Sequence, residues 1–208
     1  LGRKPKSEKF IQHCSEVISG VTHGDWCPYG YEAEMPSDQR EEDGRSLVFD
    51  LPALKRKMEM LGAPTIKLDV SCNQPNAVLY VRLCDVAPDG ASTRVTYGVL
   101  NLTHRNSHEC PESLEIGKRY QVEVSMNNIA HVFPKGHQIR VSVQTAAWPL
   151  IWPSPKRTTI TVMTGRSVLE IPVRTQQHKE TKLSDLGRPV TAEPLELVPS
   201  SVPRRSRT

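Results

Sequence analysis

The chain has 208 residues, enough for one well-packed domain with flanking segments, and carries a formal net charge of +4. Its basic residues are interleaved with acids, which argues against a nucleic-acid-binding protein. No apolar run is long enough to cross a bilayer, and no apolar segment follows the basic start. We therefore expect neither a membrane span nor a signal peptide.

The cysteines are five in number and widely spaced, without a Cys-x-x-Cys pair. Such a set lacks the spacing of a zinc knuckle and is typical of free thiols in a reducing compartment. We therefore expect a cytoplasmic location and no cofactor.

Residues 1–20 are predicted to form an N-terminal linker. Within it, the apolar residues of "EKFIQHCSEVI" (8–18) fall at helical spacing, which is compatible with a short helix. Residues 21–44 contain glycine, proline and large aromatic residues and are predicted to be a long loop. The segment "LPALKRKMEMLGAP" (51–64) is the other predicted helix, with Gly62 and Pro64 as its stop signal.

Apolar and polar residues alternate in 65–71, 119–126 and 137–145, and two further strands are expected on either side of Gly165. Period-two alternation indicates strands with one buried face, which is typical of antiparallel sheets. Strands recur with glycine and proline between them. The pattern predicts an all-β sandwich or jelly roll with few short helices and disordered ends.

The stretch "VRLCDVAPDGASTRVTYGVLNLTHR" (81–105) is predicted to be a β-hairpin. Its "APDG" places Pro88 second and Gly90 fourth in a type I turn, with Asp89 between them. Asp85 lies on the inward side of its strand and needs hydrogen-bond donors if it is buried. We expect Arg94 or backbone amides to provide them, and we assign Asp85, Pro88, Asp89 and Gly90 structural roles.

The sequence offers no convincing serine nucleophile. The nearest matches to the G-x-S-x-G elbow, around Ser46 and Ser167, lack the second glycine and lead into strands rather than helices. Asp85, Ser92 and His104 resemble a dispersed triad, but the extended strand puts His104 roughly 35 Å from the turn. We predict no catalytic residue in this chain.

The segment "HRNSHEC" (104–110) is a candidate metal site, because it contains two histidines, a glutamate and a cysteine. Histidines four residues apart share a face only on a helix, and the composition here favours a loop. We therefore assign no metal ligand and expect these side chains to form local hydrogen bonds.

Large aromatic residues cluster in two loops. Trp26, Tyr29 and Tyr31 precede the strands, and Trp148 and Trp152 lie in "AAWPLIWPSP". Exposed aromatics on a sandwich suggest either an independent carbohydrate- or ligand-binding module or a surface that docks on another domain. We favour docking for Trp148 and Trp152. The charged, proline-rich segment 176–208 lacks aromatic residues and is predicted to be a disordered tail.

Three segments, "SLVFDLPALKRKMEMLGAPTIKLDVS", the hairpin sequence and "IAHVFPKGHQIRVSVQTAAWPLIWPSP", together resemble one domain family. It is the C-terminal, non-catalytic β-sandwich of X-prolyl dipeptidyl-peptidases and cocaine-esterase-type (CocE/NonD) serine acyl hydrolases. "GDWCPYG" and "PSDQREEDGRSLVFD" resemble the start of that domain. The resemblance covers about residues 21–175 and implies that they form an all-β, jelly-roll (galactose-binding-like) β-sandwich.

The resemblance implies an accessory domain of an enzyme whose Ser-Asp-His triad lies in a separate α/β-hydrolase domain, next to a helical cap. The parent would hydrolyse an ester or an X-Pro peptide, whereas this chain alone would be inactive. Implied partners are the catalytic domain, the cap and a second subunit in a homodimer. The resemblance also places Trp26, Cys27 and Tyr29 at the rim of the parent's substrate pocket.

Overall fold

The computed structural model describes residues 8–24, 36–174 and 187. Nearly all of its regular structure is β. In chain order the elements are β1 (Phe10–His13), α1 (Arg40–Gly44), β2 (Leu47–Asp50), β3 (Met58–Gly62), β4 (Thr65–Cys72), β5 (Val78–Val86), β6 (Ser92–Asn101), a 3₁₀ turn (Leu102–His104), β7 (Tyr120–Ser125), β8 (Ile129–Phe133), β9 (Gln138–Gln144) and β10 (Ile160–Glu170).

The strands form two four-stranded antiparallel sheets, with orders β1-β10-β4-β7 and β2-β9-β5-β6, and β3 pairs with β8. The hydrophobic core lies between the two larger sheets. Its fully buried members include Leu68, Val70, Leu79, Val81, Leu83, Val143, Ile160 and Val162. This confirms the predicted all-β sandwich, while its jelly-roll connectivity remains a prediction.

The period-two patterns located the strands well. Residues 65–71, 119–126 and 137–145 correspond to β4, β7 and β9. The two strands expected around Gly165 are in fact one, β10, whose register against β4 shifts between Met163 and Val168. The shift is a bulge, which lets a strand continue across a glycine that looks like a turn.

Both helix predictions in this part of the chain were wrong. Residues Phe10–His13 form strand β1, which pairs with β10, and the expected helix over 51–64 is a loop followed by β3. Met60 is buried while Leu61 points outward, so this segment alternates as a strand does. Pairing with a neighbouring strand outweighs the local helix pattern in both segments.

The predicted loop 21–44 contains the short helix α1 in its described part. The helix puts Glu41, Glu42 and Asp43 in its first turn, where carboxylates interact favourably with the helix dipole. Two of these acids, Glu42 and Asp43, are buried against the sheet that contains β9 and β5.

β5 and β6 pair antiparallel, as the hairpin prediction required. Between them the Gly90 amide donates to the Ala87 carbonyl (2.9 Å), and the Asp89 carboxylate accepts from the Ala91 amide (3.0 Å). Gly90 has φ +88°, a conformation that favours glycine.

Candidate functional site

Trp26, Cys27 and Tyr29, the residues assigned to a pocket rim, lie outside the described residues. The predicted disordered tail (176–208) also lies outside them, apart from Gly187. Both assignments therefore stay predictions. The candidate site is built from the loop aromatics that the structure does describe.

Trp148 and Trp152 lie together at the surface. Their rings meet edge to face, with centroids 5.9 Å apart, and their exposed fractions are 41% and 84%. The segment 17–21 runs alongside and exposes three more apolar side chains. We call the set of Val17, Ile18, Val21, Trp148 and Trp152 the tryptophan patch.

The two segments of the patch are joined through their backbones. The Trp148 amide donates to the Ser19 carbonyl at 2.7 Å. Gly20, at φ +111°, packs so closely that a Cβ atom there would lie 2.7 Å from the Ala147 backbone. Any other residue at Gly20 would push the segments apart, so the glycine fixes the shape of the patch.

Glu42 of α1 holds the segment that carries the patch. Its buried Oε2 accepts from the Gly20 amide (2.9 Å) and from the Gln144 side-chain amide (3.0 Å). Upstream, Ser15 and Thr145 exchange hydrogen bonds between the backbone amide of each and the hydroxyl of the other (3.0 and 2.9 Å). The patch is thus fixed to β9 and α1 by polar contacts as well as by packing.

Asp43, the next residue of α1, faces a fully buried arginine. Its Oδ1 accepts from the Arg82 guanidinium at 3.1 Å, and its Oδ2 accepts from Arg140 (3.1 Å) and from the Ser92 hydroxyl (2.6 Å). Arg82 also donates to Gln39 (2.6 Å). Both Asp43 carboxylate oxygens and both terminal nitrogens of Arg82 thus have partners inside the fold, whereas Arg82 Nε has none.

Sequence reasoning missed this polar network because Arg82 and Asp43 are 39 residues apart. One signal was present: Arg82 interrupts the apolar strand "VLYVRLCDV", and a charge in a buried strand demands a partner. The acidic cluster of α1 was the available partner.

His23 lies beside this network and is fully buried, with its ring centroid 4.6 Å from that of Tyr80. Neither ring nitrogen has a hydrogen-bond partner. Burial, helped by the nearby Arg82 and Arg94 guanidiniums, lowers the pKa of His23 from 6.5 to about 3. His23 is therefore neutral and serves to fill space against Tyr80.

Asp85 is almost fully buried, and two histidines donate to it. His131 Nε2 lies 3.0 Å from one carboxylate oxygen and His137 Nδ1 lies 2.8 Å from the other. Arg94, the expected donor, instead reaches the Tyr80 hydroxyl at 3.4 Å. The difference arises because β8 and the turn before β9 cover this end of β5, which the local sequence does not reveal.

The structure does not assemble the dispersed triad. The Ser92 hydroxyl donates to Asp43, while His104 faces His108. Ser46 and Ser167 each donate to a backbone carbonyl four residues earlier in the chain (2.5 and 2.8 Å). These hydroxyls serve the fold. Ser15 Oγ does lie 3.0 Å from His13 Nε2, but this hydroxyl is buried and also accepts from the Thr145 amide.

The buried thiols are equally unsuited to catalysis. Burial raises the pKa of both Cys72 and Cys84 to about 11, which keeps them protonated. A cavity of about 170 Å³ opens between the two large sheets, lined mostly by apolar residues including Phe49, Leu68 and Val141. It has few polar groups with which to orient a polar ligand.

A β-sandwich with an apolar surface patch is typical of domains that pack against another domain. The sequence model of one protein family, the X-Pro dipeptidyl-peptidase C-terminal non-catalytic domain, matches residues 9–186. The chain belongs to that family. It is 29% identical over 116 residues to cocaine esterase from Rhodococcus sp. (strain MB1 Bresler), an alignment covering 55% of this chain and 20% of the esterase.

Solved structures share the fold. An aminopeptidase from a marine sediment Thaumarchaeota archaeon has a TM-score of 0.69 at 21% identity, covering 81% of this chain and 34% of the aminopeptidase. An α-amino acid ester hydrolase has a TM-score of 0.68 at 23% identity, and the match covers 79% of this chain and 32% of the hydrolase. A CocE/NonD family hydrolase from Staphylococcus aureus has a TM-score of 0.61 at 16% identity, and the match covers 83% of this chain and 34% of that hydrolase. The chain thus spans a fifth of the esterase and about a third of these three proteins.

No helix in the described part of the chain is long and apolar enough to cross a membrane.

Proposed function

We propose that the chain is the accessory C-terminal domain of a serine acyl hydrolase, and that the tryptophan patch docks it onto the α/β-hydrolase domain and helical cap of that enzyme. The parent would hydrolyse an ester or an X-Pro peptide by acyl transfer. The observation that carries the proposal is the exposure of Trp152 (84%) among other apolar side chains in a family defined as non-catalytic.

The size of the matched proteins supports a covalent partner. The matched segment is 20% of the esterase, 34% of the aminopeptidase and 32% of the ester hydrolase, so the matched domain is embedded in a longer protein there. Burial of the five side chains of the tryptophan patch would remove their apolar surface from water, which drives association. We further propose that Trp26, Cys27 and Tyr29 border the substrate pocket, that the enzyme is a homodimer, and that it works in the cytoplasm.

The geometry of the patch favours docking over sugar binding. A sugar ring stacks on the open face of an aromatic ring, with polar groups placed around it to fix its orientation. Here the two indoles meet edge to face, and the adjoining segment exposes valine and isoleucine. Exposed apolar side chains of this kind are better suited to a protein surface.

The test uses the α/β-hydrolase domain of the proposed parent enzyme, produced separately and titrated with the chain by calorimetry. Trp152→Ser should weaken binding at least about tenfold, since exposed tryptophans at the centre of an interface are common hot spots. Ile116→Ser removes a comparably exposed apolar side chain outside the patch and should leave the affinity unchanged.

Equal affinities for wild type, Trp152→Ser and Ile116→Ser would refute docking through the patch. An upstream reading frame without an α/β-hydrolase domain would refute the proposed parent enzyme.

A further inference from the structure

Two histidine rings face each other in the loop between β6 and β7. The Nδ1 atoms of His104 and His108 lie 3.3 Å apart, and the ring centroids are separated by 5.4 Å. His108 is exposed and His104 half-buried, so solvent reaches the pair. The sequence predicted that only a helix would bring these residues together. The structure shows that a 3₁₀ turn followed by a closed loop does so as well.

The loop is held by residues other than the histidines. The Asn101 side chain accepts from the amide (3.1 Å) and the hydroxyl (2.9 Å) of Thr103, which starts the 3₁₀ turn. At the far end, the Glu112 amide donates to the Thr103 carbonyl (2.8 Å) and its carboxylate pairs with Arg105 (3.1 Å). Leu102 anchors the turn in the core. The spacing of the rings is therefore set before any ligand arrives, which lowers the entropic cost of binding.

The separation of the two nitrogens matches one coordination geometry. Zinc binds histidine nitrogen at about 2.0–2.1 Å, and a tetrahedral angle places two such nitrogens about 3.3–3.4 Å apart. Adjacent nitrogens of a square-planar Cu²⁺ or Ni²⁺ site would be about 2.9 Å apart. The observed 3.3 Å agrees with the tetrahedral ion.

We propose that His104 and His108 bind one Zn²⁺ ion through their Nδ1 atoms. Among the described residues no group of three histidine, cysteine or acidic side chains is arranged to hold a metal. The protein thus provides two ligands, and water completes the tetrahedron, leaving open positions toward solvent. This inference is independent of the docking proposal, because it concerns a different loop.

The proposal is tested by calorimetric titration of the full chain with zinc chloride in a Cys110→Ser background. That background removes the exposed thiol of Cys110, which lies in the same loop as the two histidines. We expect one zinc ion to bind, and His104→Asn or His108→Asn to weaken the affinity at least about tenfold. His13→Asn changes a histidine whose side chain contacts Ser15 instead and should leave the isotherm unchanged.

Ring resonances of His104 and His108 that shift together on adding Zn²⁺, while those of His13 do not, would provide support independent of binding heats. An isotherm without specific binding, or an affinity that survives either loop substitution in a variant with an unchanged Tm, would overturn the proposal. The 3.3 Å contact would then be an N–H···N hydrogen bond between the two rings.

Discussion

At the scale of single residues, His23 shows how burial decides the behaviour of a titratable group. Its ring has no polar partner and lies against Tyr80, near two guanidiniums. The charged form is therefore disfavoured in the folded protein, and the pKa of His23 falls to about 3. In the unfolded chain the pKa returns to its ordinary value of 6.5.

This difference predicts a pH dependence of stability. Between pH 6.5 and about 3 the unfolded chain binds a proton at His23 that the folded chain does not, so acid favours unfolding. The stability associated with neutral His23 is fully present above pH 6.5 and is lost as the pH falls toward 3. His23→Phe keeps an aromatic ring and cannot be protonated, so its Tm should decline less on acidification than that of wild type.

Thermal unfolding from pH 7.5 to 4 in wild type and His23→Phe measures this effect. Carboxylates titrate in both proteins and cancel in the difference between them. Parallel curves of Tm against pH would mean that His23 is protonated in the folded state and would contradict the assignment.

At the scale of elements, the helix α1 acts as a polar clamp between the patch segment and the sheet. Glu42 binds the Gly20 amide, while Asp43 compensates the buried charge of Arg82. The clamp explains how an apolar surface loop keeps a defined shape in a domain whose core lies elsewhere.

We predict that Asp43→Asn destabilises the domain by about 3 kcal/mol, because removal of one partner leaves the buried Arg82 charge uncompensated. Glu41→Gln is the matched control, since it removes an exposed carboxylate from the same short helix and should cost less than about 1 kcal/mol. Urea unfolding at pH 7 distinguishes them. Similar midpoints for the two variants would show that α1 does not serve as a clamp.

The elements also show which strands can be predicted from the local alternation of apolar and polar residues. Strands β4, β7 and β9 were evident from strict alternation of apolar and polar residues. Only β7 has an exposed polar face, whereas on β4 and β9 the polar residues Asp69, Ser142 and Gln144 are buried. Strand β1 was mistaken for a helix because several of its neighbouring apolar residues, including Val17 and Ile18, face outward and belong to the patch rather than to the core. Outward apolar residues mislead any method that assumes they point inward.

The same reasoning applies to the sites. Trp148 and Trp152 stand out in the sequence as aromatics in an irregular loop, and the structure places both at the surface, while their docking role is a proposal. The Asp85–His131–His137 cluster and the facing rings of His104 and His108 could not, because they depend on how distant strands and a closed loop come together.

At the scale of the whole molecule, the chain is one domain of a family named for being non-catalytic, and it spans only a fifth of the esterase that it matches. The hydroxyls of Ser46 and Ser167 donate to backbone carbonyls, and burial keeps the thiols of Cys72 and Cys84 protonated. We therefore propose that the chemistry belongs to another domain of the parent enzyme and that this domain serves docking.

The most direct measurement is labelling with a fluorophosphonate probe, which reacts with activated serines. The chain is treated alone and again together with the α/β-hydrolase domain that we propose as its partner, and the labelled peptides are identified by mass spectrometry. We predict that the hydrolase domain is labelled and that no serine of this chain is, with or without its partner. A labelled serine within residues 1–208 would contradict the proposal that this chain is non-catalytic.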